Sequence, residues 1–231
     1  MAERLRPPSK SRKDYEMKNI LINLLRMFLI IITSYLIIQM DFTYAFMALL
    51  ATILSLFPLM IKKEIKFPWL VEFLIVLTIS LHVAGEFFRL FYKYAFYSSM
   101  MHFLGTATIA LIAFIIIYAL NLTKQVKLSN LMIGIFTVFC AIALGTLWEI
   151  SEFASDRILG TVLQGDTRDP LTDTMLDLVW DIIAGIFVAA IGASLLEGYH
   201  QLVHPFEEWI KKRKLTKNET PRAKARGIIN K

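Results

Sequence analysis

The hydrophobic residues of this chain fall into long apolar stretches that short polar segments separate. An α-helix needs about 20 apolar residues to cross the hydrocarbon of a bilayer. The short alternating strands that a membrane β-barrel requires are absent from the sequence. The pattern therefore predicts an all-α, polytopic membrane protein with six transmembrane helices in one bundle. The predicted spans are 19–40, 42–61, 68–91, 98–120, 131–156 and 169–196.

Composition agrees with this class and excludes several others. Hydrophobic residues make up 56% of the chain and charged residues 19%, which is too apolar for a soluble domain. The single cysteine, Cys140, excludes intramolecular disulfides and zinc sites built from cysteines. We divide the chain into a basic tail at 1–18, a six-span membrane domain at 19–204 and a second basic tail at 205–231.

The orientation follows from the distribution of Lys and Arg. Twenty of these residues flank the spans on the side of the two tails, against four on the other side. Cytosolic segments carry the excess of Lys and Arg, so both termini are predicted in the cytosol. The net charge of +6 then places the tails near anionic lipid head groups. No nucleic-acid-binding motif accompanies this charge, so no nucleic-acid partner is expected.

Ionisable residues inside the predicted spans are concentrated toward the outer side. Such residues are costly in hydrocarbon and usually face the bundle interior or a water-filled cavity. Within each span they recur three or four residues apart, which places them on one helix face. The rows are His82, Glu86 and Arg89 on span three, Ser98 and His102 on span four, Glu149, Glu152 and Asp156 on span five, and Asp173, Asp177 and Asp181 on span six. The last row continues as Gly185, Ala189 and Ala193, small residues typical of packed faces, so we expect its acids to point into the bundle.

The charge balance on the outer side indicates a bound cation or shared protons. Ten acidic residues lie there against four basic ones, a formal charge of −6. Oxygen ligands suit Mg²⁺, Mn²⁺ or Ca²⁺, and a histidine would admit Zn²⁺ or Fe²⁺. The predicted metal ligands are Glu149, Glu152, Asp173, Asp177 and Asp181. The predicted catalytic residues are His102, Glu86 and His82, and the predicted substrate-binding residues are Gln164, Asp166 and Arg89.

These residues also carry a family resemblance. The segments His82-Val-Ala-Gly85, His102-Phe-Leu-Gly105, Glu149-Ile-Ser-Glu152 and Gln164-Gly-Asp166, followed by Asp169 and Asp173, resemble those of the YjdF-like integral membrane proteins and, more distantly, the VanZ-like family. That family typically has Tyr-Asp before the second histidine, where this chain has Tyr97-Ser98. The resemblance implies a small multi-span inner-membrane protein, and the VanZ-like branch is associated with glycopeptide-antibiotic resistance.

Three functions fit the pattern. The first is a metal-assisted enzyme that acts on a lipid-linked or phosphorylated substrate at the outer leaflet. The second is a cation or proton-coupled transporter that binds a cationic ligand at the same acids. The third is a structural membrane protein in which the acids form a buried polar network, with Glu86 and Arg89 as structural ion pairs.

Asp169 precedes Pro170 and is expected to cap a helix, and 157–168 is expected to form a loop over the site.

Overall fold

The protein is a bundle of α-helices in the computed structural model, which describes residues 9–61, 63–64, 67–164, 169–194 and 203–213. The described part contains no β-strand, and six of its helices are long and apolar enough to cross a membrane. The predicted fold class is therefore confirmed. The helices are α1 Ser9–Ile38, α2 Phe42–Met60, α3 Trp69–Phe87, α4 Leu90–Lys93, α5 Ala95–Leu122, α6 Asn130–Leu159, α7 Pro170–Ser194 and α8 at 203–213.

Local capping signals set several of these boundaries. Asp41 begins α2, because its carboxylate accepts a hydrogen bond from the backbone N–H of Tyr44. Ser129 caps α6 in the same way through the N–H of Met132, at 3.3 Å. Gly160 ends α6 with a φ of 68°, a left-handed conformation that a residue without Cβ adopts at no steric cost. The tight connection predicted between the first two spans at Asp41 is therefore present.

Several predicted boundaries differ from the helix ends. Helix α1 begins at Ser9, within the tail predicted at 1–18, and α5 begins at Ala95, three residues before the predicted span four. Span three was predicted to continue to Phe91, but α3 ends at Phe87. Arg89 adopts the left-handed conformation, with a φ of 55°, and the short helix α4 follows it. Apolar side chains continue through this turn, so hydropathy alone does not reveal the break. Helix α6 extends to Leu159, and the loop predicted from Arg157 therefore begins three residues later, at Gly160.

The six long helices pack in two groups of three. Helices α5, α6 and α7 contact one another closely, and α1, α2 and α3 form a second group that joins the first where α3 packs on α5. Small residues bring α6 and α7 together: a Cβ added to Gly185 would lie 2.9 Å from Ala141. Gly134 likewise faces Ala189, so Gly185 and Ala189 of the small-residue row predicted on α7 lie on a packed face, while the side chain of Ala193 lies outside the described part.

Helix α8 covers one end of the bundle with an apolar face. Val203, Phe206 and Ile210 are buried in a core cluster with Val71 of α3 and Ile115 of α5. The stretch 205–231, predicted as a basic tail, therefore begins with residues that pack against the membrane domain. At the opposite end of the bundle, the C-terminal ends of α3 and α6 meet the N-terminal ends of α5 and α7. We call this the acidic end.

A buried ion pair links the first three helices near the α8 end. Arg26 of α1 is 6% exposed, and its Nη2 lies 2.9 Å from Oε1 of Glu72 on α3. Its Nε and Nη2 also donate to the carbonyl oxygen of Ser55 on α2, at 3.2 and 3.1 Å. One guanidinium thus connects α1, α2 and α3, a geometry that its planar set of donors allows.

Candidate functional site

Two helices form a ladder of polar contacts at the acidic end. Ser98 and His102 of α5 are four residues apart, as are Asp177 and Asp181 of α7, so each pair lies on one helix face. The Ser98 hydroxyl donates to Oδ2 of Asp177 at 2.9 Å. Thr106, one further turn along α5, donates to Oδ1 of Asp181 at 2.5 Å. The ladder therefore holds both aspartates by hydroxyl groups and leaves His102 between them.

The imidazole of His102 lies at the centre of the carboxylates. Its Nε2 is 3.3 Å from Oε1 of Glu149 and 3.5 Å from Oδ2 of Asp177. Its Nδ1 is 3.4 Å from Oδ1 of Asp181. The three acidic residues are at most 4% exposed. Two helices, α6 and α7, thus direct acidic groups at a single ring on α5.

Helix α6 completes a group of possible metal ligands. One donor atom each from His102, Glu149 and Glu152 lies within 4.8 Å of the other two. Glu152 is 8% exposed, and its Oε1 accepts a hydrogen bond from Nε1 of Trp148 at 2.8 Å. One imidazole and two carboxylates form a nitrogen and oxygen ligand set that suits Mn²⁺, Fe²⁺ or Zn²⁺. The residues at this position therefore fit a divalent metal ion.

The buried charge is not balanced by the described side chains. Glu149, Glu152, Asp177 and Asp181 are all buried, and no Lys or Arg in the described ranges forms an ion pair with them. Oε1 of Glu149 and Oδ2 of Asp181 are buried without a hydrogen-bond partner in the same part of the chain. Buried carboxylates are costly without a cation, a proton or a donor. This imbalance is independent support for a positively charged ligand.

A second layer of residues borders this group on the side of the α6–α7 connection. Asp173 is 9% exposed and lies one turn before Asp177 on the same face of α7. The side-chain amide of Gln164 donates to the Thr174 hydroxyl at 3.2 Å, and Thr174 lies on α7 three residues before Asp177. Gln164 therefore contacts α7 close to the cluster, whereas Asp166 lies outside the described residues.

The residues predicted on α3 make no hydrogen bond or ion pair with the cluster in the described part of the chain. His82 packs edge-on against Phe91 and Trp148, with ring centroids 5.4 and 5.2 Å away, and the same Trp148 donates to Glu152. Glu86 is half-buried, with its Oε2 unpartnered among the described atoms. Arg89 is exposed, and its guanidinium lies over the Tyr92 ring at 5.9 Å. The structure thus brings only His102 of the three predicted catalytic residues into contact with the carboxylates.

Two other acids have structural contacts. The carboxylate of Asp156 accepts hydrogen bonds from the Thr161 hydroxyl and from the backbone N–H groups of Leu163 and Gln164, at 2.7, 2.8 and 3.1 Å. It therefore holds the loop that follows α6. Asp169 accepts from the N–H of Leu171 and the hydroxyl of Thr172, which confirms its predicted capping role.

Thr106, Gly145 and Trp148 also contact the cluster, although none of them was predicted. Thr106 follows His102 by four residues and so continues the row begun at Ser98, a signal that the spacing contained. Gly145 precedes Glu149 by four residues, and a Cβ there would overlap the Asp181 carboxylate. Trp148 precedes Glu152 by four residues, a spacing that places the two on one helix face.

The ladder of polar side chains on α5 and α7, which we also call the polar column, ends at Asp181. On its α8 side, the described helices meet through apolar and small residues: Ala141 and Ala184 are fully buried, and Gly192 contacts the ring of Phe114. Gly185 packs on Ala141 at the same place. In the described part of the three-helix group, the polar contacts of the acidic cluster therefore end at Asp181 on the α8 side.

The chain belongs to the family described as Predicted membrane protein (DUF2238), whose model matches residues 20–198. The YjdF-like proteins are members of this family, so that resemblance is confirmed, while the likeness to the VanZ-like family stays a prediction. An uncharacterized protein of Thermotoga maritima is 32% identical over 124 residues, and the match covers 49% of this chain and 57% of that relative. The chain thus spans little more than half the length of this relative. No solved structure matches the chain.

Proposed function

We propose that this protein is a metal-dependent enzyme of the plasma membrane that acts on a lipid-linked or phosphorylated substrate at the outer leaflet. The observation that carries the proposal is the convergence of His102, Glu149 and Glu152, with donor atoms within 4.8 Å, inside a membrane-spanning bundle. A purely structural network would gain little from this arrangement, because buried acids without balancing charge destabilise a fold.

The residues of the cluster have distinct roles in this proposal. A divalent ion held there would polarise a phosphoryl oxygen and lower the pKa of a bound water. His102, Glu149 and Glu152 would hold that ion, and Asp177 lies 3.5 Å from the same imidazole nitrogen, where it can accept a proton from a reacting group. Asp173 and Gln164 border the cluster on the side of the α6–α7 connection, where a phosphorylated head group would enter.

The end of the polar column at Asp181 favours an enzyme over a cation or proton-coupled transporter. A transporter needs a polar route that reaches both faces of the membrane. Beyond Asp181 the described helices pack through Ala141, Ala184 and Gly185. The ion pair of Arg26 with Glu72 belongs to the other group of helices and is already satisfied. An enzyme that acts at one face of the membrane needs no polar route to the other face.

We expect one divalent metal ion per chain in detergent-purified protein that has been loaded with Mn²⁺ or Zn²⁺ and then desalted. Elemental analysis measures the stoichiometry. Phosphate release from phosphatidic acid and from a prenyl diphosphate in micelles then tests the reaction. Inorganic pyrophosphate serves as the comparison substrate that has no lipid chain. Protein that binds neither metal would refute the proposal. Metal-stimulated cation flux into proteoliposomes, without hydrolysis, would replace the enzyme by a transporter.

The proposal also requires the acidic end to face outward, with both termini in the cytosol. The excess of Lys and Arg on the tail side, twenty against four, supports this orientation. A cysteine in place of Ile158, 79% exposed near the end of α6, should react with an impermeant maleimide in intact cells. A cysteine in place of Lys63, exposed between α2 and α3, should react only after permeabilisation. Both variants carry Cys140→Ala, and the reverse labelling pattern would place the site at the cytosolic face.

A further inference from the structure

The two nitrogens of the His102 ring face different kinds of partner. Nε2 faces Glu149, which belongs to the group of possible metal ligands, and Asp177. Nδ1 faces Oδ1 of Asp181, which is 1% exposed and lies one turn deeper on α7. A neutral imidazole donates from one nitrogen and accepts or binds a metal with the other. The partner of Nδ1 therefore decides what Nε2 can do.

Asp181 is itself held from two sides. The Thr106 hydroxyl donates to its Oδ1, the same oxygen that faces Nδ1 of His102. Its Oδ2 lies against Gly145 of α6. Of the surrounding atoms, this oxygen is the nearest to the position that a Cβ of Gly145 would occupy. The absence of a side chain at Gly145 thus leaves room for the carboxylate. Asp181 was predicted as a metal ligand, but it is outside the group of donors that converge on one point.

We propose that Asp181 is a positioning residue that keeps the proton of His102 on Nδ1 and directs Nε2 toward the metal position beside Glu149. This inference rests on the proposed function and assigns the roles of residues within the same site. A ligating histidine commonly donates its other N–H to a carboxylate, which fixes the ring and its tautomer. Thr106 and Gly145 would act through Asp181, the first by a hydrogen bond and the second by leaving space.

The substitution Gly145→Ala tests this arrangement without removing any polar atom. The added methyl group would overlap the Asp181 carboxylate and displace it from His102. We expect Gly145→Ala to bind one Co²⁺ per chain, measured by visible absorption, with a Kd raised about 10- to 100-fold, the usual effect of losing such a partner. Gly134→Ala is the matched control on the same helix, since its Cβ would meet Ala189 at an ordinary 3.7 Å. Equal Co²⁺ affinity in both variants would overturn the proposal.

The substitutions Asp181→Asn and Asp181→Ala provide a second measurement. Nitrogen-15 spectra of the imidazoles in metal-free protein, assigned with His102→Gln, should show the proton on Nδ1 in the wild type and in Asp181→Asn. In Asp181→Ala the proton should distribute between the two nitrogens. An unchanged tautomer in Asp181→Ala would refute positioning, and complete loss of Co²⁺ from Asp181→Asn would make Asp181 a ligand. If the wild type binds no metal, the proposed enzymatic function is refuted. The position of the proton on the His102 ring still tests the role of Asp181 in that case.

Discussion

Replacing Glu152 with Gln is expected to abolish metal binding while the protein still inserts and folds. The amide has nearly the shape of the carboxylate but lacks its charge, and Glu152 belongs to the group of three possible ligands. Its Oε1 accepts from Trp148, a contact that the amide oxygen of Gln can retain. Loss of a direct ligand should weaken binding by more than the roughly 10- to 100-fold that loss of an outer partner costs. Elemental analysis and Co²⁺ titration of detergent-purified protein measure the effect.

The matched control for this prediction is Asp169→Asn. It also removes one carboxylate near the acidic end, but Asp169 is an exposed helix cap and Asn caps equally well. This variant should keep both its metal and its melting temperature. If the acids instead form a structural network, Glu152→Gln should relieve repulsion, raise the melting temperature and leave metal content unchanged. That pattern would contradict the metal site.

Coupling between neighbouring acids tests the shared site further. Asp177 and Glu149 both face Nε2 of His102, so substitutions at the two positions should not be independent. We expect a double-mutant cycle of Glu149→Gln and Asp177→Asn on Co²⁺ affinity to give a coupling energy well above about 0.5 kcal/mol, the usual limit for independent sites. Additive effects would mean that the two carboxylates do not act on one ion.

Replacing Arg26 with Met should give the largest loss of stability of any single change outside the site. The substitution leaves Glu72 without its ion-pair partner and removes two hydrogen bonds to the carbonyl oxygen of Ser55. Removing one member of a buried pair typically costs about 3–5 kcal/mol, and the loss here should lie at the lower end of that range because the Glu72 side chain is 21% exposed. Thermal unfolding in detergent, compared with wild type, measures the change.

Two comparisons isolate the cause of that loss. Lys18→Met removes another cation of α1, but Lys18 is exposed and only lies over the Trp69 ring, at 4.8 Å. Its loss should cost about 0.5–1 kcal/mol. The double variant Arg26→Met with Glu72→Gln should recover most of the stability, because no unpaired buried charge remains. A double variant as unstable as Arg26→Met would mean that the Ser55 contact, not the ion pair, is the main contribution.

Hydropathy and local spacing were sufficient for the class of protein and for the helices that carry the acids. A run of about 20 apolar residues has one stable solution in a bilayer, a helix that satisfies its own backbone hydrogen bonds. Three- and four-residue spacing places side chains on a common face whatever the helix packs against. The six spans, the caps at Asp41 and Asp169, and the common faces of Glu149 with Glu152 and of Asp177 with Asp181 all depend on such local rules.

Which faces meet depends on contacts between distant parts of the chain. His82, Glu86 and Arg89 have a three- and four-residue spacing like that of the acids of α6, but α3 packs on α5, and His82 contacts the Trp148 ring rather than a carboxylate. Conversely, Asp181 reaches His102 where α6 presents Gly145, and a methyl group there would displace it. Spacing along one helix carries no information about its neighbour. Close packing between helices therefore decided which acidic groups converge on His102.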